Sequence, residues 1–448
     1  SREIAPIYNE ERQTDGVKLL YHDVETNGIG YVTALFDLSE IEEELLPYAG
    51  ILQSVLGIID TEYYGYGELF NEINVHTGGI GTSLELYTDV TKVKEKEFRA
   101  TFEIKGKALY PKLDVLFAMM REILMESKLG DEKRLKEILS MLKTRLQTSF
   151  LSAGHTTAVL RSLSYTSPIA RFRDITSGIG FYEVVKDLEE NFEERKELLI
   201  ENLKKIAGRI FRKENLMLSY TSAQEGLAVL EKAVPQFADS LHTGEKESHG
   251  QCIIHCKKRN EGFRTSSKVQ YVARTGNFID GGAEYTGALQ ILKVILSYDY
   301  LWQNVRVKGG AYGCMSGFNR IGEGYLVSYR DPNLEKTMEI YEGVVDYLKN
   351  FDIDDRDMNK FIIGTISNLD RPMNPAAKGS RSLNLYMNRI TEEMIRRERE
   401  QILDAQQEDI RGLATVLEAV LAAGELCVIG SEEKIEEAKE MFGEIRTL

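Results

Sequence analysis

The feature that most constrains this chain is that its pattern of elements occurs twice. In the first half, alternating apolar runs from Lys18 to Val24 and from Gly30 to Leu38 predict strands. A helical run follows from Ile41, and a second one ends at "NEINVHTGG". After that diglycine come two strands, "IGTSLELYTDV" and "FRATFEIKGKAL", and a helix opening at Pro111, where the missing N–H has no helical partner to lose. The second half repeats the order. The strands "CIIHCKK" and "KVQYVAR" precede a helix from Ala283, whose Leu289, Leu292 and Leu296 share one face and which stops at "VKGG". Two strands follow, "AYGCMSGFN" and "GYLVSYR", then a helix at "DPNLEK" with Asp331 as its cap and Pro332 in its first turn.

The offsets agree: 231 residues from Gly78 to Gly309, 221 from Pro111 to Pro332, and 225 from Gly154 to Gly379. Late in each copy a short strand leads into a helix, "ENLMLSYTS" before Ala223 and "GELCVIGS" before Glu432. This pattern predicts an α+β protein of two tandem homologous domains, each an antiparallel-rich sheet with helices packed on one side. The domains are expected at residues 1–240 and 241–448, with a hinge in "ADSLHTGEKESHG" where periodicity lapses. A length of 448 residues exceeds what one core sustains, which fits.

A formal charge of −15 sets the mean field against nucleic acid or an anionic membrane as the main partner. The uncharged run from Leu45 to Ile59 contains Pro47 and falls short of the roughly 18 to 20 apolar residues of a spanning helix. The four cysteines resemble a reduced set. In "CIIHC", Cys252 and Cys256 on a strand would stand about 13 Å apart, at roughly 3.3 Å per residue, too far for a disulfide or one zinc ion. The opening "SREIAPIYNEERQ" is polar and lacks a starting methionine, so the chain is read as a processed or excised piece of something longer.

None of the six histidines lies in a His-x-x-Glu-His or His-Glu-x-x-His pattern, and neither a G-x-S-x-G elbow nor a Walker loop occurs. His76 and His155 would need an orienting carboxylate to act as bases, and are read as capping a helix or lining a domain contact. The glycines of "SGIGFYEVV" are read as a turn rather than a phosphate cradle. Runs such as "DEKRLKE" and "EEMIRRERE" are solvated helix faces.

One stretch, "LWQNVRVKGGAYG" from Leu301 to Gly313, is less ordinary. Arg306 at a helix end, Gly309 and Gly310 as a stop, and Tyr312 in a strand each have a structural explanation. Together they also fit a ligand site, with the glycines admitting another backbone and Arg306 and Tyr312 donating to a carbonyl oxygen or oxyanion. Neither side chain can itself attack.

"YDYLWQNVRVKGGAYG", "GYLVSYRDPNLEKTMEIYEGVVDYL" and "FIIGTISNLDRPMNPAAKGSRS" resemble, in that order, the carboxy-terminal half of the presequence-protease branch of the pitrilysin and insulinase metallopeptidases. "GYGELFNEINVHTGGIGTSLELYTD" is similar to the third of that family's four homologous domains. The resemblance implies a clamshell whose amino-terminal half carries an inverted zinc motif, and whose other half adds a substrate-binding arginine and tyrosine, matched here by Arg306 and Tyr312. The zinc motif has no match, so this chain is expected to hold no metal and to depend on an amino-terminal catalytic half for zinc and for cleavage of peptides. A separately encoded partner subunit and a scaffold of the same fold are the alternatives. The expected location is the bacterial cytoplasm, or an organelle matrix in a eukaryote.

Overall fold

The computed structural model describes all 448 residues and contains two six-stranded sheets. The first comprises β1 (Glu10–Thr14), β2 (Val17–Asp23), β3 (Ile29–Asp37), β4 (Ile80–Tyr87), β5 (Arg99–Leu109) and β6 (Leu216–Ser222), in the order β1-β2-β6-β3-β5-β4. The second comprises β7 (Glu261–Thr265), β8 (Tyr271–Asn277), β9 (Gly313–Phe318), β10 (Glu323–Tyr329), β11 (Glu425–Ser431) and β12 (Glu444–Thr447), in the order β12-β7-β11-β8-β10-β9. Apart from the outermost β1 and β12, the two orders correspond strand for strand. In each, one pair is parallel, β2 with β6 and β7 with β11, and the remaining equivalent pairs are antiparallel. The outermost position is filled from opposite ends of the chain: β1 runs antiparallel to β2, whereas β12 runs parallel to β7.

The first half contributes α1 (Leu46–Val55), α2 (Tyr66–His76), α3 (Leu113–Glu126), α4 (Glu132–Ser152), α5 (Gly154–Leu163), α6 (Pro168–Ser177), α7 (Ile179–Glu190), α8 (Phe192–Ile210) and α9 (Gln224–Asp239). The second contributes α10 (Ala288–Tyr298), α11 (Glu335–Glu342), α12 (Val344–Lys349), α13 (Asp355–Leu369), α14 (Pro375–Met387) and further helices. Side chains alternate across each sheet as the pleat requires. Leu19 and Tyr21 of β2 join the core under the first half's own helices, while Leu20 between them packs on Leu383 and Met387 of α14. Val272 of β8 joins Leu292 and Val420 of its own half, while Tyr271 and Ala273 join Ala158 of α5.

Each sheet therefore has its own helices on one face and a helix of the other half on the opposite face. The glycines 225 residues apart, Gly154 and Gly379, lie at these crossings. A Cβ on Gly154 would come within 2.3 Å of the Tyr271 ring, and one on Gly379 within 1.9 Å of Thr221 Oγ1. Absence of a side chain is what lets both helices approach.

An ion network fastens α5 to the second sheet. Arg161, on α5, donates through Nε to Glu261 Oε1 at 2.7 Å and through Nη1 to Asp174 Oδ2 at 2.6 Å. Both carboxylates are fully buried. Tyr165 donates to Glu261 at 3.0 Å, Arg446 at 3.2 Å, and Arg171 donates to Asp174 at 2.8 Å. Burial pushes the Glu261 carboxyl up, but Arg161 and its companion donors outweigh burial and hold it below its ordinary 4.5.

Three local expectations are corrected. "CIIHC" is not a strand: residues 245–260 have no regular structure, and β7 begins at Glu261. The apolar alternation there belongs to a strap on the first half, with Cys252 and Ile254 packed on its core, Ile253 outward, and the Cys252 N–H bonded to Ser39 O at 2.8 Å. The helix expected from Ala283 to about Val307 is shorter, because Asp299 (φ −124°, ψ −90°) ends α10 at Tyr298. Asp331 is not a helix cap, since its backbone bridges to Gln270 and the following helix starts at Glu335. Its buried carboxylate instead accepts from the Asn333 N–H at 2.9 Å and the Thr337 hydroxyl at 2.5 Å.

Gly154→Ala and Gly379→Ala should each lower stability by about 1–3 kcal/mol through overpacking, measured as a shift in urea midpoint. Arg161→Met leaves two buried carboxylates short of a partner and should cost about 3–5 kcal/mol. Because the folded pKa of Glu261 lies below its unfolded value, its contribution is complete above 4.5 and is lost as pH falls through the folded value. Urea midpoints across acidic pH should fall less steeply for Glu261→Gln than for the native chain.

Candidate functional site

The stretch from Leu301 to Gly313 forms a compact projection at the edge of the second sheet. Leu301 and Val305 are buried in the second core and anchor it. Between them and beyond, Trp302–Val307 winds as a π-helical turn, with the Lys308 N–H reaching Gln303 O at 3.0 Å. Such wide turns are uncommon and often mark functional positions. Arg306 lies in the last residues of this turn rather than at the end of α10.

The two glycines close the turn. A Cβ on Gly309 would meet Val305 O at 2.5 Å, and Gly310 has φ +84°, in the left-handed region. The Gly310 N–H bonds to Arg306 O at 2.8 Å, the Ala311 N–H to Val305 O at 3.1 Å, and Asn333 Nδ2 donates to Gly309 O at 2.6 Å. The glycines are thus accounted for by the turn itself, and the chain enters β9 with the Tyr312 N–H on Tyr329 O at 3.0 Å.

Arg306 and Tyr312 come together as the sequence suggests. The guanidinium carbon lies 4.3 Å from the Trp302 ring centroid and 5.9 Å from that of Tyr312. Tyr312 is 67% exposed. The guanidinium, held over two aromatic faces, has no carboxylate partner, so its donors and the phenol hydroxyl remain available to a ligand.

Tyr312 also starts a run of rings. It packs on Tyr329 at 6.2 Å, and Tyr329 on Tyr271 at 5.6 Å and on His155 at 4.9 Å. Arg330, at φ 46°, lies 5.3 Å from the Tyr329 ring. His155 belongs to α5, so the first half reaches this patch. The domain-contact reading of His155 is correct as far as it goes, and its place beside Tyr312 depends on a helix crossing that its local sequence does not reveal. Burial pushes its pKa below the ordinary 6.5.

The other candidates do not join the patch. His76 sits at the end of α2 beside Glu72 and Lys112. The helix start at "SGIGFYEVV" is occupied by the chain's own Asp174, whose Oδ1 accepts from the Gly180 N–H at 3.3 Å. Cys252 and Cys256 are free thiols, and burial raises Cys252 to about 11. No group of three or more His, Cys, Asp or Glu residues could hold a metal ion. No helix is long and apolar enough to cross a membrane.

Residues 1–188 match the family described as associated with subgroup C of the M16 peptidases, and residues 260–432 match the PreP C-terminal domain. The chain belongs to the M16 peptidases and is a carboxy-terminal half of the presequence-protease-like kind. It is 37% identical to Protein HypA of Clostridium perfringens over its whole length and 30% identical to Presequence protease 1, chloroplastic/mitochondrial, of Arabidopsis thaliana over 95% of its length. It spans 45% and 39% of those relatives' lengths. In fold it is similar to the peptidase M16 inactive domain from Pseudomonas fluorescens, at 12% identity, TM-score 0.65, and coverage of 95% of this chain and 98% of that one. A conserved protein from Enterococcus faecalis is similar at 14% identity and TM-score 0.66, covering 95% of this chain and 99% of that one.

Proposed function

We propose that this chain is the non-catalytic half of a zinc endopeptidase that degrades short unstructured peptides in an enclosed chamber, and that Arg306 and Tyr312 bind the substrate carbonyl or the oxyanion formed when it is attacked. The observation that carries this reading is the pair itself. A guanidinium without a counter-ion and an exposed phenol are held side by side by a π-helical turn that two glycines close. Both groups donate hydrogen bonds and neither is a nucleophile at neutral pH, so they complement a catalyst located elsewhere. Gly309 and Gly310 bring the pair to the edge of the patch where a peptide backbone can approach.

The zinc and the water-activating carboxylate belong in this reading to an amino-terminal half. The relatives support that arrangement, being about twice as long as this chain. Their length also favours one continuous polypeptide over a separately encoded partner subunit, and the retained Arg306 and Tyr312 disfavour a pure scaffold. The partners are that half and peptide substrates, with no nucleic acid or membrane, in the bacterial cytoplasm.

In the complete peptidase, Tyr312→Phe and Arg306→Ala should each lower kcat by about 10²- to 10³-fold, the usual cost of one oxyanion donor. Thermal unfolding should be unchanged, because both side chains project from the surface. Unaltered turnover in both variants would remove the assignment. The 448-residue chain alone should retain no stoichiometric zinc on dialysis and cleave no peptide; chelator-sensitive hydrolysis by it would overturn the division of labour.

A further inference from the structure

The patch around Tyr312 is completed by a residue of the other half. α5 settles onto the second sheet with Gly154 against the Tyr271 ring, and the hydroxyls of Tyr271 and Tyr329 donate to the carbonyls of Leu151 and Ser152 just before the helix. This seating fixes the next residue, His155. Its ring stands edge-on to Tyr329 at an interplanar angle of 87° and also packs on Tyr271, with centroids 6.1 Å apart.

The two ring nitrogens are in different surroundings. Nδ1 is buried with no hydrogen-bonding partner, whereas Nε2 is neither buried nor bonded within the chain. A proton on Nδ1 would have no acceptor, so the neutral imidazole carries it on Nε2, where an incoming group can accept it. The depressed pKa keeps the ring in that neutral form near pH 7.

We propose that His155 is a third peptide-binding residue, donating from Nε2 to a backbone carbonyl of the substrate at a subsite remote from the carbonyl held by Arg306 and Tyr312. The ring contacts of 4.9 Å and 6.2 Å that link His155 through Tyr329 to Tyr312 bound the separation. In series they correspond to about three residues of extended peptide at roughly 3.3 Å each. The inference rests on the peptide-binding reading of Arg306 and Tyr312 and extends it: the substrate would be held by both halves of this chain, at a place that exists only because α5 crosses to the second sheet.

The test uses the complete peptidase and an unstructured fluorogenic peptide, comparing His155→Phe, which keeps the ring, with His155→Gln, which keeps a donor. One lost neutral hydrogen bond is worth about 0.5–1.5 kcal/mol, so His155→Phe should raise KM roughly 2- to 10-fold with kcat unchanged. His155→Gln should restore KM. A peptide cut back by about three residues on the side facing His155 should give the same KM with native enzyme and His155→Phe. An unchanged KM in His155→Phe, or an equal loss in His155→Gln, reduces His155 to packing and overturns the proposal. Arg306→Ala and Tyr312→Phe measured alongside separate the two readings: if they slow turnover while His155→Phe does nothing, only the third contact fails, and if none of the three matters, the peptide-binding reading fails with it.

Discussion

Arg161 is almost completely buried between two carboxylates, and much of the architecture follows from that placement. It sits on a helix of the first half, and Glu261 opens the first strand of the second sheet. Asp174, on α6, anchors the same guanidinium and accepts from the start of α7. A charge removed from water is stable only while its partners are in register, so this cluster ties the position of α5 to the second sheet and to the helices behind it. On the other side of the molecule α14 crosses the first sheet, and its Leu383 and Met387 pack on Leu20 and Leu35. The pair of crossings makes the two halves one body, in which neither sheet has a face served solely by its own domain.

The candidate site sits where this exchange meets an irregular turn. The π-helical segment presents Arg306 beside Trp302 and Tyr312, and the aromatic run through Tyr329 ends at His155 on the exchanged helix. Loop residues held by a rigid sheet are a common setting for binding. Rigidity here comes from the buried Leu301 and Val305 below the turn and from the sheet bond between Tyr312 and Tyr329 beside it.

Much of the fold was legible because burial imposes period. The strands at Val17–Asp23, Ile29–Asp37 and Leu216–Ser222 alternate, and Leu289, Leu292 and Leu296 mark one face of α10. The pairing of Arg306 with Tyr312 was also readable, since six residues spanning a helix stop bring the side chains together locally. The misreadings have local physical causes. "CIIHC" alternates because one side of an extended strap rests on apolar surface, and sequence does not distinguish that from a hydrogen-bonded ladder. Asp331 looks like a cap, but the chain stays extended to pair with Gln270.

The sequence by itself determined the duplication, the two sheets and the turn bearing Arg306 and Tyr312, because periodicity, glycine positions and helix stops act over a few residues. The offset of 225 residues between Gly154 and Gly379 was visible as well, yet its meaning was not. Only the tertiary structure decided that each glycine lies beneath a helix laid on the other half's sheet. It likewise decided that Arg161 meets Glu261 across 100 positions and that His155 stands beside the ring that carries Tyr312. Those contacts join residues far apart in the chain, and they arise from the fit of whole faces rather than from any local preference.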